Sequence, residues 1–336
     1  MKTFNLLFLA LFLLLKPVTA LSPTNEKTLL WEISGNGLKK KSYLFGTYHL
    51  VNNGLIDHYP AVQKALRKSK TMVVETVIDS NELAALSLLM LAPDGPGWTA
   101  ALSADEKQRL DQNLKKFVGP GLEQMAVFKP SAVSATLALM ATRAALEDTL
   151  KMYKGEPIDG WIAKQGRKKR KQLVALESLK EQFELLYNSD SLPAQIKQLQ
   201  ALIQQFDSLD IYTTELYFAF LAQDHQAMQA IAAKHAGQIG GLETLLYDRN
   251  KRWLDTLPQL MAQNPTFIAV GALHLSGDQG VIQLLRHAGY TVKPMRNRYE
   301  KHPNSGGDAS VVLLLLLPAL MSDGRLISEN KQYGIG

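Results

Sequence analysis

One short pattern is written into this chain twice, near its two ends. Ser42-Tyr-Leu-Phe-Gly-Thr-Tyr-His49-Leu and Pro265-Thr-Phe-Ile-Ala-Val-Gly-Ala-Leu-His274-Leu both read as an apolar strand followed by Gly-x-x-His-Leu. Each is followed by a helical stretch, Pro60–Lys70 and Gly280–His287, and then by a second strand, 71–75 and 290–294. The two histidines lie 225 positions apart. A strand–turn–helix–strand unit repeated over that distance restricts the fold to arrangements that bring both ends of the chain into one sheet. Gly46 and Gly271 end their strands, where the lack of a Cβ permits a turn or a close backbone approach. Each histidine sits just past a strand end, where open α/β sheets hold their ligands. A pseudo-twofold pairing of the units sets His49 and His274 across one cleft.

The rest of the pattern agrees with that restriction. Residues 28–36 and 42–46 read as a hairpin, and Gln172–Glu177 as a further strand. Residues 81–150 are helical, with breaks near Pro93–Trp98 and Gly119–Gly121. Pro157–Gln165 is another helix, and helices dominate 179–257, including 211–222 and 242–257. Strands cluster at both ends and helices fill the middle. The expected class is therefore α/β (α+β), with a mixed sheet built from both ends of the chain and a large helical insertion over about 80–260. With 46% hydrophobic and 20% charged residues in 336, the chain has material for a sizeable core in a single domain over 21–300. Disordered and collagenous classes are excluded.

The chemistry open to the chain is narrowed by the absence of cysteine, which removes disulfides, thiolate nucleophiles and iron–sulfur centres. Any metal must be held by His, Asp, Glu and neutral donors. Glu75 ends the apolar strand Met72-Val-Val, and Glu177 ends Leu173-Val-Ala-Leu. A carboxylate at the end of a buried strand is costly unless it is paired, hydrogen-bonded or metal-bound. Beside two imidazoles, these carboxylates compose an oxygen-and-nitrogen site for a divalent metal. Arg249 and Asn250 are placed to neutralise or orient them, and Arg249 could also hold an oxyanion. His-Glu-x-x-His, Gly-x-Ser-x-Gly, Walker A, dinucleotide-binding and EF-hand signatures are all absent. His58, His225, His235, His287 and His302 have no partner pattern and read as surface or packing residues.

The first twenty residues have a secretory layout: Lys2, an apolar run from Asn5 to Leu15, and small residues Val18-Thr19-Ala20 before a cut. The mature chain is expected to start near Leu21 and to be periplasmic or secreted. Removing Lys2 and Lys16 lowers the net charge from +6 to +4. The densest basic run, Arg167–Lys171, reads as a solvated turn between a helix at 157–166 and a strand at 172–177. It carries no interleaved aromatic residues, so no nucleic-acid partner is expected. Residues 301–336 form a tail whose apolar segment 311–321 is too short to span a bilayer. A packed segment, a homodimer contact or peripheral membrane contact are the readings it allows.

Taken together, Leu30-Trp31-Glu-Ile, Tyr43-Leu-Phe-Gly-Thr-Tyr-His49, Val74-Glu75, Leu176-Glu177-Ser, Asp248-Arg249-Asn250 and Val270-Gly271-Ala-Leu-His274-Leu-Ser-Gly-Asp-Gln-Gly280 resemble the TraB/GumN family. The likeness runs over about residues 28–297. That family is similar to the Tiki proteases, extracellular metal-dependent enzymes of an erythromycin-esterase/ChaN-like superfamily. The resemblance implies a mixed sheet flanked by helices, a divalent metal (Mn, Co, Fe or Zn) near the two Gly-x-x-His histidines, and proteolysis. Carried over, His49 and His274 are ligands or catalytic groups, with Glu75 as the carboxylate beside them. Glu177 and Arg249 match recurrent acidic and basic positions. Ser178 stands where the family often has Thr, and the tail lies outside the common pattern. The expected function is an exported metal-dependent hydrolase, a peptidase acting on a peptide or protein substrate. Two alternatives stand beside it. One is a non-catalytic metal- or haem-binding module in which Tyr48 or the histidines ligate iron; the other is an interaction protein on the same fold.

Overall fold

The computed structural model describes residues 27–234 and 242–300. The proposed leader, His235, His302 and the apolar segment 311–321 lie outside those residues. β1 (Leu30–Gly35) and β2 (Ser42–Thr47) form the expected antiparallel hairpin. Its turn begins with Gly35, Asn36 and Gly37, all at positive φ, a conformation glycine adopts without steric cost. β3 (Thr71–Val74), β4 (Gln172–Ala175), β5 (Thr266–Gly271) and β6 (Tyr290–Pro294) complete a six-stranded mixed sheet. Its order is β4-β3-β5-β2-β1-β6. β2, β5, β3 and β4 run parallel, while β1 is antiparallel to both of its neighbours.

The sheet explains the apolar strands. β2, β3 and most of β5 are buried on both faces, so they carry near-continuous hydrophobic runs rather than alternation. Twelve helices of more than one turn are named here. They are α1 (Pro60–Lys68), α2 (Ser80–Leu86), α3 (Ala104–Phe117), α4 (Pro130–Ala145), α5 (Ile158–Lys168) and α6 (Leu179–Asn188), then α7 (Leu192–Gln205), α8 (Leu209–Leu221), α9 (His225–Lys234), α10 (Asp248–Trp253), α11 (Leu257–Gln263) and α12 (Val281–His287). Their starts are chemically marked. Pro60 opens α1, and the capping boxes Ser103–Glu106 and Ser178–Glu181 open α3 and α6. α4 packs on α3, α7 and α8, forming the helical layer of the insertion.

Three features depart from the simplest picture. The sheet does not come only from the chain's two ends, because β4 arises inside the helical stretch and pairs with β3 at the edge. The helix expected to stop near 166 continues to Lys168, and the basic run is not uniformly solvated. Lys171 is half-buried and donates to the carbonyls of Leu66 and Ser69, closing the C-terminal end of α1. The repeated units also take unequal places. β3 lies directly beside β5, whereas β6 is separated from β2 by β1.

The two motif strands, β2 and β5, are adjacent and parallel, with Gly46 opposite Val270 and Thr47 opposite Gly271. From β2 the chain crosses toward β3, and from β5 it crosses the other way toward β6. Neighbouring parallel strands with divergent connections form a topological switch point, and their carboxyl ends open a crevice. His49 and His274 both stand at that end.

Candidate active site

The crevice gathers four strand ends. Glu75 follows β3 directly, Glu177 follows β4 by two residues, and the Glu177 amide donates to the Glu75 carbonyl at 2.9 Å, extending the pairing past both strands. Gly271 ends β5, and its missing side chain is the centre of the arrangement. A Cβ there would lie 3.2 Å from Glu75 Oε1, 3.6 Å from His274 Cδ2 and 3.7 Å from His49 Nε2. The Gly271 amide donates to Glu75 Oε1 at 2.6 Å. Gly46 serves packing instead: a Cβ on it would meet Leu275 Cδ1 at 2.7 Å and Ala272 Cα at 3.1 Å. Gly46 is thus pressed against the second motif, and Gly271 against Glu75 and both histidines.

His274 is buried on a 3-10 turn, Ala272–His274, with 3% of its side chain exposed. Its Nδ1 meets Asn250 Oδ1 at 2.7 Å, while Asn250 Nδ2 donates to the carbonyls of His274 and Gln279. Those carbonyls can only accept, which fixes the Asn250 amide and makes His274 Nδ1 the donor. His274 Nε2 therefore keeps its lone pair, 3.7 Å from Glu75 Oε1. The ring packs on Trp253 with centroids 4.4 Å apart.

Arg249 ties the carboxylates together. Its Nε donates to both oxygens of Glu177 at 2.9 and 3.0 Å, and its Nη2 donates to Glu75 Oε2 at 2.6 Å. Nη1 reaches His274 Nε2 at 3.2 Å and the carbonyl of Leu245 at 2.9 Å. Leu245 belongs to a π-helical turn, Glu243–Tyr247, immediately before α10. Such turns recur at functional sites because they re-aim the residues that follow. Trp253 Nε1 also donates to Glu177 at 3.0 Å, so both Glu177 oxygens are engaged.

His49 is held differently. Two-thirds of its side chain is exposed (67%), and its Nδ1 donates to Asp159 Oδ2 at 2.8 Å. Thr47 donates to the other Asp159 oxygen at 2.6 Å. Asp159, in the first turn of α5, is a site residue the sequence reading did not single out. An acidic residue there looks like an ordinary helix-dipole partner. Its signal is the spacing Pro157-Ile158-Asp159 after a glycine loop, which has meaning only once α5 is docked. Tyr48 packs against Tyr217 and Phe220, with ring centroids 6.1 and 5.3 Å away, in an aromatic cluster whose burial raises its phenol pKa.

The electrostatics separate the two imidazoles. Desolvation outweighs the neighbouring carboxylate at His274 and depresses it to about 4, so it is neutral at pH 7. At His49 desolvation also opposes charge, but the Asp159 hydrogen bond and charge, with Glu75 adding, raise it to about 9. Desolvation pushes the Glu75 carboxyl up; the charges of His274, His49 and Arg249 and the Gly271 amide outweigh it and hold Glu75 at about 2. Since His274 is itself neutral at pH 7, His49, Arg249 and the amide carry that balance there.

The donors fit a divalent ion in kind. Two Nε2 atoms, each with its far nitrogen tied to an oxygen partner, stand near one ionised carboxylate. As they stand, no three His, Asp or Glu side chains among the described residues are gathered closely enough to hold one. Arg249 donates to both Glu75 and His274, so its Nη atoms occupy the lone pairs that such an ion would need.

Comparison with known proteins shows the family. The TraB/PrgY/gumN family model matches residues 29–294, from β1 to β6. The chain is similar to two zebrafish (Danio rerio) proteins, Metalloprotease TIKI1, 26% identical over 325 residues, and Metalloprotease TIKI2, 25% identical over 331 residues. The matches cover 83% of this chain in each case, and 65% and 62% of the relatives' own lengths. No solved structure matches.

Proposed function

The chain belongs to the TraB/PrgY/gumN family, and we propose that it is an exported, metal-dependent hydrolase of peptide bonds. The observation that carries this reading is the convergence of His49 Nε2, the His274 ring and Glu75 Oε1 on the bare Cα of Gly271. In this reading His49, His274 and Glu75 would hold a divalent ion of the Mn, Co, Fe or Zn type, which would supply Lewis acidity toward a carbonyl at neutral pH. Asn250 keeps a lone pair on His274 Nε2. Glu177, with both oxygens engaged, holds Arg249 by Nε and Nη2, and Nη1, which faces the His274 ring, is the guanidinium atom turned toward a substrate's developing oxyanion. Arg249 can reach a substrate oxygen only by loosening from Glu75 Oε2. That frees Oε2 to accept a proton from water as general base while Oε1 faces Gly271 and the ion position.

The mature chain is taken to begin after Ala20 and to work in the periplasm or outside the cell, on a peptide or protein substrate. Metal analysis by mass spectrometry on the purified chain, alone and with His49→Ala/His274→Ala together, tests the reading. About one equivalent of ion is expected in the wild type and none in the variant, with peptide turnover following the metal. Wild-type protein that holds no ion, takes none up and cleaves no peptide would refute it.

A further inference from the structure

We infer that Asp159 is a positioning residue: it fixes the His49 imidazole in its Nδ1–H tautomer and turns Nε2 toward Glu75 and Gly271. Its bearing on metal binding rests on the function proposed above; the tautomer assignment stands on geometry alone.

The need for such a residue follows from exposure. Packing orients His274, with 3% of its side chain exposed, but it cannot orient a ring that is 67% exposed. A solvent-facing imidazole samples several rotamers and both tautomers unless a hydrogen bond selects among them. The Asp159 bond at 2.8 Å is the bond His49 Nδ1 makes, and Asp159 is itself pinned by Thr47 at 2.6 Å. One carboxylate oxygen is thus spent on β2, and the other faces the ring.

The loop geometry is built around this delivery. Val51–Gly54, just past His49, is clasped to Tyr153–Ile158, just before Asp159. Asn53 donates its amide to the Glu156 carbonyl at 2.8 Å, Gly54 to Lys154 at 2.9 Å, and Ile158 to Val51 at 3.0 Å. The Glu156 amide donates to Asn53 Oδ1 at 2.9 Å, and Asn52 Nδ2 donates to the Tyr153 carbonyl at 3.0 Å. The segments are so close that a Cβ on Gly54 would sit 2.6 Å from the Lys154 carbonyl. Gly155, at φ +111°, could not carry one beside Asn53 either. Two glycines and five hydrogen bonds set the start of α5 against the end of β2, and Asp159 is the first acidic side chain of that helix. A partly exposed ion pair adds little to stability. The clasp would hold the fold without Asp159, so its carboxylate is better accounted for by what it does to His49.

The experiment reads the ring directly. Protein labelled with 15N-histidine, metal-free and at about pH 10 so that His49 is neutral, reports the tautomer of each imidazole by NMR. His49 is expected as Nδ1–H in the wild type and as Nε2–H in Asp159→Asn and Asp159→Ala, with His274 unchanged in all three. Divalent-ion affinity, measured by competition with a chelator, is expected to fall roughly 10- to 100-fold in both variants. Thr47→Val is expected to shift both readouts the same way by less. Thermal melting should barely move. His49 that stays Nδ1–H in both Asp159 variants would overturn the inference, as would a lowered melting point with the tautomer untouched, since that marks a purely structural tie. A chain that binds no ion while its His49 tautomer still follows Asp159 would refute the metal reading and leave the positioning role standing.

Discussion

The two Gly-x-x-His arms have nearly the same letters and are built on opposite physical plans. The second arm is interior: His274 is buried, tied to an uncharged amide, packed on Trp253 and held neutral. The first arm is peripheral: His49 is exposed, tied to a carboxylate and lifted toward its charged form. One imidazole is fixed by packing and the other by a single directed bond. A repeat in sequence therefore marks a shared location at the switch point and not a shared environment. Burial gives rigidity to one imidazole, and exposure leaves the other open to solvent at the crevice.

The comparison is tested hardest at the group joined to the interior arm. Arg249→Ala leaves Glu75 and Glu177 buried without their cation, and a loss of about 3–5 kcal/mol in urea unfolding is expected. A loss below about 1 kcal/mol would mean that water already screens the pair. Next come the histidines themselves. His274→Ala strands Asn250 and Arg249 and should cost roughly 1–3 kcal/mol, whereas His49→Ala should stay within about 0.5 kcal/mol. Both should abolish metal-dependent peptide turnover. Equal stability costs for the pair would erase the distinction between interior and peripheral arms.

The glycines divide the same way. Gly46→Ala overpacks Ala272 and Leu275 and is expected to cost about 1–3 kcal/mol. Gly271→Ala intrudes on Glu75, His274 and His49 at 3.2–3.7 Å and should show first as weakened ion binding, measured by chelator competition. The gentlest probe is pH, applied to chelated protein. His49, raised to about 9 from an unfolded value of 6.5 but two-thirds exposed, contributes only a small, solvent-screened stability that is full below pH 6.5 and is lost as pH rises through 9. His274, depressed to about 4, contributes stability that is present above pH 6.5 and is lost as pH falls through 4. Unfolding profiles of the two alanine variants should therefore diverge from wild type at opposite ends of the scale. Divergence at one end alone would break the contrast.

Much of this was legible in the sequence because strand ends are local events. Gly46, His49, Gly271 and His274 announce their place by following an apolar run, and Glu75 and Glu177 do so because a carboxylate there needs a partner. Arg249 and Asn250 could be paired with them on charge and amide chemistry. Asp159 was not legible, since its meaning depends on a loop contact across more than a hundred residues. Nor was the inner role of Lys171, which looks like one more cation in a basic run until α1 brings its open carbonyls within reach. The unequal seating of β3 and β6 was hidden for a related reason: a repeat predicts equivalent units but says nothing of a strand, β1, wedged beside one of them.

The sheet order also bears on when this protein can become itself. β5, the strand between β3 and β2, is made only after residue 265, and its first amide bonds to Ser42 across 224 positions. Until it emerges, β2 and β3 lack the neighbour they share. Pairings this remote must overcome a large loop-closure entropy before they repay it, which slows folding. A chain growing from the ribosome, or cut short before Thr266, can hold helices but no crevice. Gly271, on which the crevice converges, thus sits on one of the last strands of the described chain to be made.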